Sequence, residues 1–200
     1  MRASLLVFCL VVFHVFHSSG QTVSPNYRLA GLIDSLYAAD QSTVRIKPAD
    51  SAAAAYQRVI RTNFPAVKKI LAAYGYPTYT LVGQESAKHY FLLVQHSDFD
   101  LKFQQQVLKM MRREVTNKNA SGQQYAALID RIATNQGKPQ VYGTQVLMSG
   151  NTKVKPCIAP NKLDSRRKSV GLEPIEEYLK KCNAFFYETK QKESKAPVNN

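Results

Sequence analysis

The chain lacks the short motifs that usually reveal a reaction. It contains no serine in a Gly-x-Ser-x-Gly elbow, no Walker-type phosphate loop, no dinucleotide-binding fingerprint and no zinc-protease helix. We therefore expect no bound cofactor, and nucleophilic catalysis finds little support. Histidine is also scarce, since only His89 and His96 lie outside the first twenty residues. A histidine-dependent site is limited to these two.

A long apolar run occurs only at the amino terminus. Arg2 supplies a positive charge, residues 5–16 are apolar, and residues 18–20 are small. This three-part pattern predicts a cleavable secretory signal peptide at residues 1–20. The apolar stretch is shorter than the roughly 20 residues that span a bilayer, and we expect no transmembrane segment elsewhere. The sequence therefore predicts a periplasmic or extracellular protein.

Two cysteines, Cys157 and Cys182, remain once the leader is removed. In an oxidising compartment they can pair, and closing a loop of this size would stabilise the fold by about 3 kcal/mol in the chain-entropy model. Cys182 also falls on the apolar face of the last predicted helix, where it would be a small buried side chain. The sequence leaves both alternatives open.

The chain is short of acidic residues, with 14 Asp and Glu against 27 Lys and Arg, and its net charge is +13. Such a surplus suggests nucleic acid or an anionic surface as a partner. However, the basic residues are spread along the chain, and no aromatic residues interleave with them as a base-stacking surface requires. We expect a solvated basic surface and no specific nucleic-acid partner. The oligomeric state is not indicated.

Helical periodicity dominates residues 21–188, which we expect to form a single domain. Six or more segments place apolar residues at helical spacing between recognisable start and stop signals. Residues 84–95 are predicted to form one helix, and residues 90–94 within it are apolar on all sides, which is typical of a central helix. Asn63 is predicted to cap one helix with Pro65 in its first turn, and Ser97 another with Asp100 as the capping-box acid.

The pattern changes after Pro139. Residues 140–148 are rich in β-formers, residues 149–151 form a turn signal, and residues 153–158 can return as a partner strand. Residues 189–200 are polar without an apolar period, and we expect a disordered tail. The predicted fold is therefore mainly α, a compact multi-helix domain with one small β-hairpin near the C-terminal third.

A set of short motifs also resembles a known family. The chain contains, in this order, Tyr74-Gly75-Tyr76-Pro77, Val82-Gly83, Val94-Gln95-His96-Ser97-Asp98, Phe103-Gln104, Asp130-Arg131, Gly137, Gln140, Tyr142-Gly143-Thr144-Gln145, Arg166-Arg167 and Val170-Gly171-Leu172. Together they resemble an uncharacterised bacterial domain of unknown function, the one numbered 6624, often exported in Bacteroidetes-like bacteria. The resemblance covers residues 29–179. It implies the limits of the domain and no particular reaction.

The polar residues of these motifs suggest a ligand-binding site. In this hypothesis the domain binds a small or anionic polar ligand in one cleft lined by His96, Tyr142, Gln145 and Arg166. Arginines recognise anionic groups through paired hydrogen bonds. The predicted ligand-binding residues are Gln95, Gln140, Tyr142, Thr144, Gln145, Arg166 and Arg167.

The alternative function is a metal-independent hydrolase or lyase. His96 would act as general acid or base, because the ordinary pKa of histidine lies near neutrality, and Asp98 or Asp130 would orient its ring. A metal site at His96, Asp98 and Asp100 is not expected, since a helix would turn Asp98 away from the other two. Structural roles are also open: His96 can bond backbone carbonyls at a helix joint, and Asp130 can pair with Arg166 or Arg167.

Overall fold

The computed structural model describes residues 24–43 and 49–194, and within them the protein is an assembly of helices with one small hairpin. The predicted signal peptide lies outside the described residues. The elements are α1 (Tyr27–Ser42), α2 (Ala49–Tyr74), α3 (Tyr79–Val82), α4 (Gln84–Gln95), α5 (Leu101–Thr116), α6 (Gly122–Asn135), β1 (Val146–Leu147), β2 (Lys153–Val154), a 3-10 turn (Pro160–Lys162), α7 (Leu163–Ser169) and α8 (Ile175–Ser194). The predicted mainly α fold class is confirmed.

Helix α4 lies at the centre of the core, as its all-round apolar sequence predicts. Tyr90 and Val94 are completely buried, and the Tyr90 hydroxyl donates a 3.0 Å hydrogen bond to the carbonyl of Val67 in α2. That bond satisfies the polar group that burial would otherwise leave unpaired. Each neighbouring helix contributes buried apolar side chains to the same cluster: Ile33 from α1, Val67 from α2, Val107 and Met111 from α5, and Leu128 from α6.

The C-terminal ends of α1 and α4 and the first part of α2 meet at one place. Helices α1 and α4 run side by side in the same direction, because Asp34 pairs with His89 and Asp40 with His96, at sequence separations of 55 and 56. Helix α2 returns antiparallel to α1, and Asn63 Nδ2 donates to the carbonyl of Leu36. The last turn of α1, the first part of α2 and the last turn of α4 therefore come together.

Two predicted helix starts are wrong. Asn63 does not cap a new helix, because α2 continues through Pro65 to Tyr74. Proline removes one backbone donor from the helix ladder, but packing of the buried residues Val67 and Ile70 holds the segment helical on its far side. Tertiary packing thus keeps α2 continuous where the local sequence predicts the start of a new helix.

The start of α5 also differs from the prediction. Asp100 rather than Ser97 is the N-cap, since its carboxylate accepts a 2.9 Å bond from the Phe103 amide. Ser97 turns back instead, and its hydroxyl donates to the carbonyl of Leu93 in the last turn of α4. By contrast, the serine that precedes α6 is its N-cap, since the Ser121 hydroxyl accepts from the Gln124 amide.

The hairpin is shorter than predicted, and the last helix is longer. Strands β1 and β2 pair antiparallel over two residues each, with Val146 opposite Val154, and Pro156 follows close behind. Proline cannot donate to a strand ladder, which accounts for the early end. Helix α8 reaches Ser194, past the predicted domain limit at 188, because its Lys, Gln and Glu residues are good helix formers. No helix among residues 24–43 and 49–194 is long and apolar enough to cross a membrane.

Candidate functional site

His96 and Asp40 form the centre of the candidate site. His96 Nδ1 lies 3.0 Å from Asp40 Oδ2 and 3.1 Å from Asp40 Oδ1. The Asp40 side chain is completely buried, whereas 19% of the His96 side chain is exposed. Gln41 Nε2 donates a further 2.8 Å bond to Asp40. A buried carboxylate on Nδ1 selects the ring form that carries its proton there, so the other ring nitrogen is left as the acceptor.

Tyr56 and an ion pair complete the surroundings of His96. The Tyr56 ring packs edge-on to the imidazole at 5.5 Å between centroids. Burial, together with the negative charge of Asp40, raises the pKa of Tyr56 to about 12. Its hydroxyl is therefore protonated at neutral pH and can donate a hydrogen bond. His96 caps the C-terminus of α4, whereas Asp40 and Tyr56 come from α1 and α2, and the three helices meet at this point.

Asp98 is held by Arg131 on α6. Arg131 Nε lies 2.7 Å from Asp98 Oδ1, and Nη2 bonds the other carboxylate oxygen, so the pair is bidentate. Burial by itself would raise the pKa of Asp98, but the hydrogen bonds and charge of Arg131, with bonds from Gln104 and Asn135, lower it below its ordinary value. Asp98 is thus a fixed carboxylate, and Asp40 takes the role of orienting His96 that we assigned to Asp98 or Asp130.

Sequence reasoning missed Asp40, although a signal was present. Leu29, Ile33 and Asp40 lie on one stripe of α1, and all three are buried. A carboxylate on the apolar stripe of an amphipathic helix needs a polar partner, because burying an unpaired charge is costly. That pattern marks Asp40 as a residue with a specific partner, while the identity of the partner depends on how α1 packs against α4.

His89 provides an internal comparison. It lies two turns before His96 on α4, and its Nδ1 lies 2.8 Å from Asp34 Oδ1. The Asp34 side chain is 46% exposed, and the His89 ring stacks on Tyr37 at 4.0 Å. The two histidine side chains are similarly exposed, 21% for His89 and 19% for His96, so the pairs differ in the carboxylate, which is partly exposed in Asp34 and completely buried in Asp40. Only the second places a charged partner where solvent cannot screen it.

The remaining predicted site residues form a second network around Asp130. Asp130 is completely buried, and its carboxylate accepts from the amides of Val141, Tyr142 and Thr144 and from the Thr144 hydroxyl, at distances of 2.7 to 3.2 Å. Asp130 therefore holds the loop that precedes β1. The predicted ion pair with Arg166 or Arg167 is absent from the described residues, because these amides already satisfy the carboxylate.

Gln140 closes the same loop from inside. Its amide nitrogen donates to the carbonyls of Gln145 and Lys155, and its amide oxygen accepts from the Gln145 backbone. The Gln145 side chain donates to the Thr144 hydroxyl. Burial raises the pKa of Tyr142, and the neighbouring Tyr125 and Asp130 raise it further. These side chains bind the loop itself.

The two arginines also bind backbone. Arg166 donates to the carbonyls of Val141, Ala159 and Ile158. Arg167, 1% exposed, donates to the carbonyls of Glu173, Tyr142 and Gly143 and lies 5.0 Å over the Tyr178 ring. Both guanidinium groups therefore hold backbone carbonyls, although the buried Nη2 of Arg167 has no hydrogen-bond partner among the described residues, and the predicted role in ligand binding stays a prediction.

The hydrogen bonds therefore divide the predicted residues into separate groups. His96 bonds Asp40, and Asp98 bonds Arg131; no hydrogen bond joins these two pairs, but the charges of Asp40, Asp98 and Arg131 all act on Tyr56, so we treat them together as the first network. Asp130 and the residues from Gln140 to Arg167 form the second network, which shares no residue with the first. Asp130 and Arg131 are consecutive on α6, but successive helical side chains point about 100° apart, so each serves a different network. Gln95 ends α4, and its carbonyl accepts from Gln104.

The two cysteines lie outside the His96 site. Cys157 and Cys182 carry free thiols, and Cys157 Sγ lies 3.3 Å from the carbonyl of Lys155, so no disulfide joins them. In the part of the chain that the structure describes, no three His, Cys, Asp or Glu side chains are grouped to hold a metal ion.

Comparison with known proteins places the chain in a family. A search of curated proteins and a search of solved structures found no match. The profile of one family matches residues 47–191, which include α2 to α7 and most of α8. The motifs that carry the resemblance lie within this segment. The chain belongs to the family of unknown function DUF6624.

Proposed function

We propose that the domain is a small acid–base enzyme, a hydrolase or lyase in which His96 transfers the proton and Asp40 orients its ring. The observation that carries the proposal is the contact of His96 Nδ1 with both oxygens of a completely buried carboxylate. Orientation by a carboxylate, with the opposite ring nitrogen left to accept a proton, is the arrangement that general-base histidines use.

The surroundings of His96 support this role more strongly than a purely structural one. A histidine that only closes a helix joint needs a backbone carbonyl, whereas His96 contacts a side chain 56 positions away. Among the described residues Nε2 has no hydrogen-bond partner, so a ligand proton can reach it. Tyr56 beside the ring is a second donor for a polar ligand.

A small polar ligand fits this site better than a strongly anionic one. Asp40 and Asp98 bring two negative charges, while the charge of Arg131 is paired with Asp98 through Nε and Nη2. The cleft lined jointly by His96, Tyr142, Gln145 and Arg166 has no support, because those residues belong to separate networks. The ligand site that we propose is therefore confined to the first network.

Hydrolysis of p-nitrophenyl acetate tests the proposal without knowledge of the natural substrate. The variant His96→Asn keeps a side-chain amide donor for Asp40 and removes the imidazole. We expect it to lower the rate about a hundredfold, the usual contribution of a general base. Asp40→Asn should lower the rate less, about tenfold, because it weakens orientation and leaves the base in place.

His89→Asn is the matched control. It changes the same residue type, on the same helix, with an aspartate partner on the same neighbouring helix. The control should hydrolyse the ester as the wild type does. An unchanged rate in His96→Asn, or equal losses of rate in His96→Asn and His89→Asn, would reject His96 as the acid–base residue.

We also propose that the protein is exported and acts outside the cytoplasm. The support is the three-part leader at residues 1–20, with its basic start, apolar stretch and small residues. Mass spectrometry of the protein from envelope and medium should find a chain that begins near Gln21. A full-length chain recovered from the cytoplasm alone would contradict export.

A further inference from the structure

A large groove lies at the opposite end of α2 from His96. Tyr56 and Tyr74 are 18 residues apart on that helix, which corresponds to roughly 27 Å at 1.5 Å per residue. The groove lies between the end of α2, α3 and α5, and its volume is about 1170 Å³. That is the size of a small-molecule site or slightly above it. It is therefore independent of the proposed acid–base site.

The wall of the groove is mostly apolar, and its two threonine hydroxyls bond each other. Tyr74, Leu81 and Met110 supply aromatic and aliphatic surface, and the Tyr74 side chain is about half exposed. The Thr78 and Thr80 hydroxyls lie 3.2 Å from each other. A ligand in this groove thus meets hydrocarbon along much of its length and few free hydrogen-bonding groups.

One cation of the groove is unpaired. Glu114 accepts from Arg113 at 3.1 Å and from Asn119 at 3.5 Å, so its negative charge is balanced. Lys109 lines the groove one turn earlier on α5, and within the described residues it has no ion-pair partner. An apolar groove with a single available ammonium group is complementary to an apolar chain that ends in a negative charge.

We propose that this groove binds a fatty-acid-like carboxylate, with its chain along Tyr74, Leu81 and Met110 and its carboxylate at Lys109. The volume accommodates a long chain, and the internally bonded threonines do not demand polar partners from it. Lys109 fixes which end of the ligand lies at α5.

Binding of cis-parinarate, a fluorescent fatty acid, tests the site directly. The Gln106→Trp change places a large ring in the groove from an exposed position on α5. We expect it to weaken binding on the order of tenfold or more, because it removes volume that the chain needs. Gln105→Trp is the matched control: it adds the same ring on the neighbouring exposed position, which does not line the groove, and should leave affinity within about twofold.

The methyl ester of parinarate tests the role of Lys109. We expect Lys109→Gln to weaken binding of the acid several-fold, roughly the effect of one solvent-exposed ion pair, and to leave binding of the ester unchanged. Lys102→Gln, which removes a charge two turns away on α5, should change neither. Equal affinity for the acid in wild type and Gln106→Trp would overturn the site, and equal effects of Lys109→Gln on acid and ester would overturn the carboxylate assignment.

The experiment must also distinguish a fatty acid from a second copy of the chain as the occupant of the groove. Light scattering of the ligand-free wild type should show a monomer. A dimer that Gln106→Trp dissociates and Gln105→Trp does not would identify the groove as a subunit interface and overturn the fatty-acid proposal.

Discussion

His96, the residue that caps the C-terminus of α4, and Asp40 in α1 make a hydrogen-bonded contact of 3.0 Å across 56 positions of sequence, and the carboxylate is completely buried. Because α1 lies outside the segment matched by the family profile, this contact joins the matched domain to the helix that precedes it. The contact serves packing and chemistry together. It ties α1 to the central helix, and it orients the ring that we propose to transfer a proton.

Removal of the imidazole should destabilise the fold because the buried Asp40 carboxylate loses its partner at position 96. We expect His96→Ala to lower the free energy of unfolding by about 2 to 3 kcal/mol, the cost of leaving a buried polar group without its partner. His96→Asn should cost less than about 1 kcal/mol, since its amide can still donate to the carboxylate. Urea denaturation of the two variants measures both values. Equal losses would show that Asp40 does not depend on a donor at position 96.

The Asp98–Arg131 pair should contribute stability that depends on pH. The folded pKa of Asp98 lies below its ordinary value of 3.8, so its contribution is fully present above pH 3.8 and disappears as the pH falls through the lower folded pKa. Because 38% of the Asp98 side chain is exposed, solvent screening limits the contribution to about 1 kcal/mol or less.

The Asp98→Asn variant tests this pH dependence. Its stability should fall less steeply in acid than that of the wild type, and the two curves should converge at the lowest pH. Denaturation midpoints between neutral pH and the acid limit give the curves. Glu188→Gln, at an exposed position of α8, controls for net charge. Parallel curves for wild type and Asp98→Asn would contradict the predicted linkage.

The helices could be predicted from sequence where local signals and packing agree. The predicted span of α4, residues 84–95, is the observed one, and Ser121 begins α6 as its capping pattern indicates. At Pro65 and Ser97 the local signals and the packing disagree: the proline lies inside a continuous helix, and the serine bonds the preceding helix. Local capping rules cannot foresee which neighbour a side chain will meet.

The candidate site was less predictable for the same reason. The sequence marks His96, but its partner Asp40 is defined only when α1 lies parallel to α4. Asp130 is likewise an ordinary carboxylate in sequence, and its four donors come from a loop 11 to 14 positions later. Long-range pairing depends on the tertiary arrangement, which periodicity alone does not specify.

Asp130 should be among the most important single residues for stability. Its replacement by alanine leaves three backbone amides and the Thr144 hydroxyl without their buried acceptor, and we expect a loss of about 3 kcal/mol or more. Asp164→Ala is the control, since Asp164 accepts from a single exposed amide, that of Ile175. It should cost about 1 kcal/mol, as loss of a helix cap does. Urea denaturation gives both numbers, and a loss from Asp130→Ala no larger than that of the control would contradict its role in the loop.

Any side chain at position 143 should destabilise the fold. The size of the loss in the free energy of unfolding distinguishes backbone strain from steric crowding as its cause. The φ of Gly143 is +67°, and a Cβ there would lie 3.2 Å from Val154 Cγ2 and 3.3 Å from Leu163 Cδ2, so the backbone approaches its neighbours closely at this glycine. Gly137 has a similar φ of +70° with nothing within 4 Å of its Cβ position. Gly137→Ala should therefore cost only the strain of the left-handed backbone, about 1 to 2 kcal/mol. Gly143→Ala adds crowding against β2 and α7, and we expect it to cost about 1 kcal/mol more than Gly137→Ala. Thermal and urea denaturation of the two variants measure the difference, and equal losses would mean that backbone strain alone selects glycine at position 143.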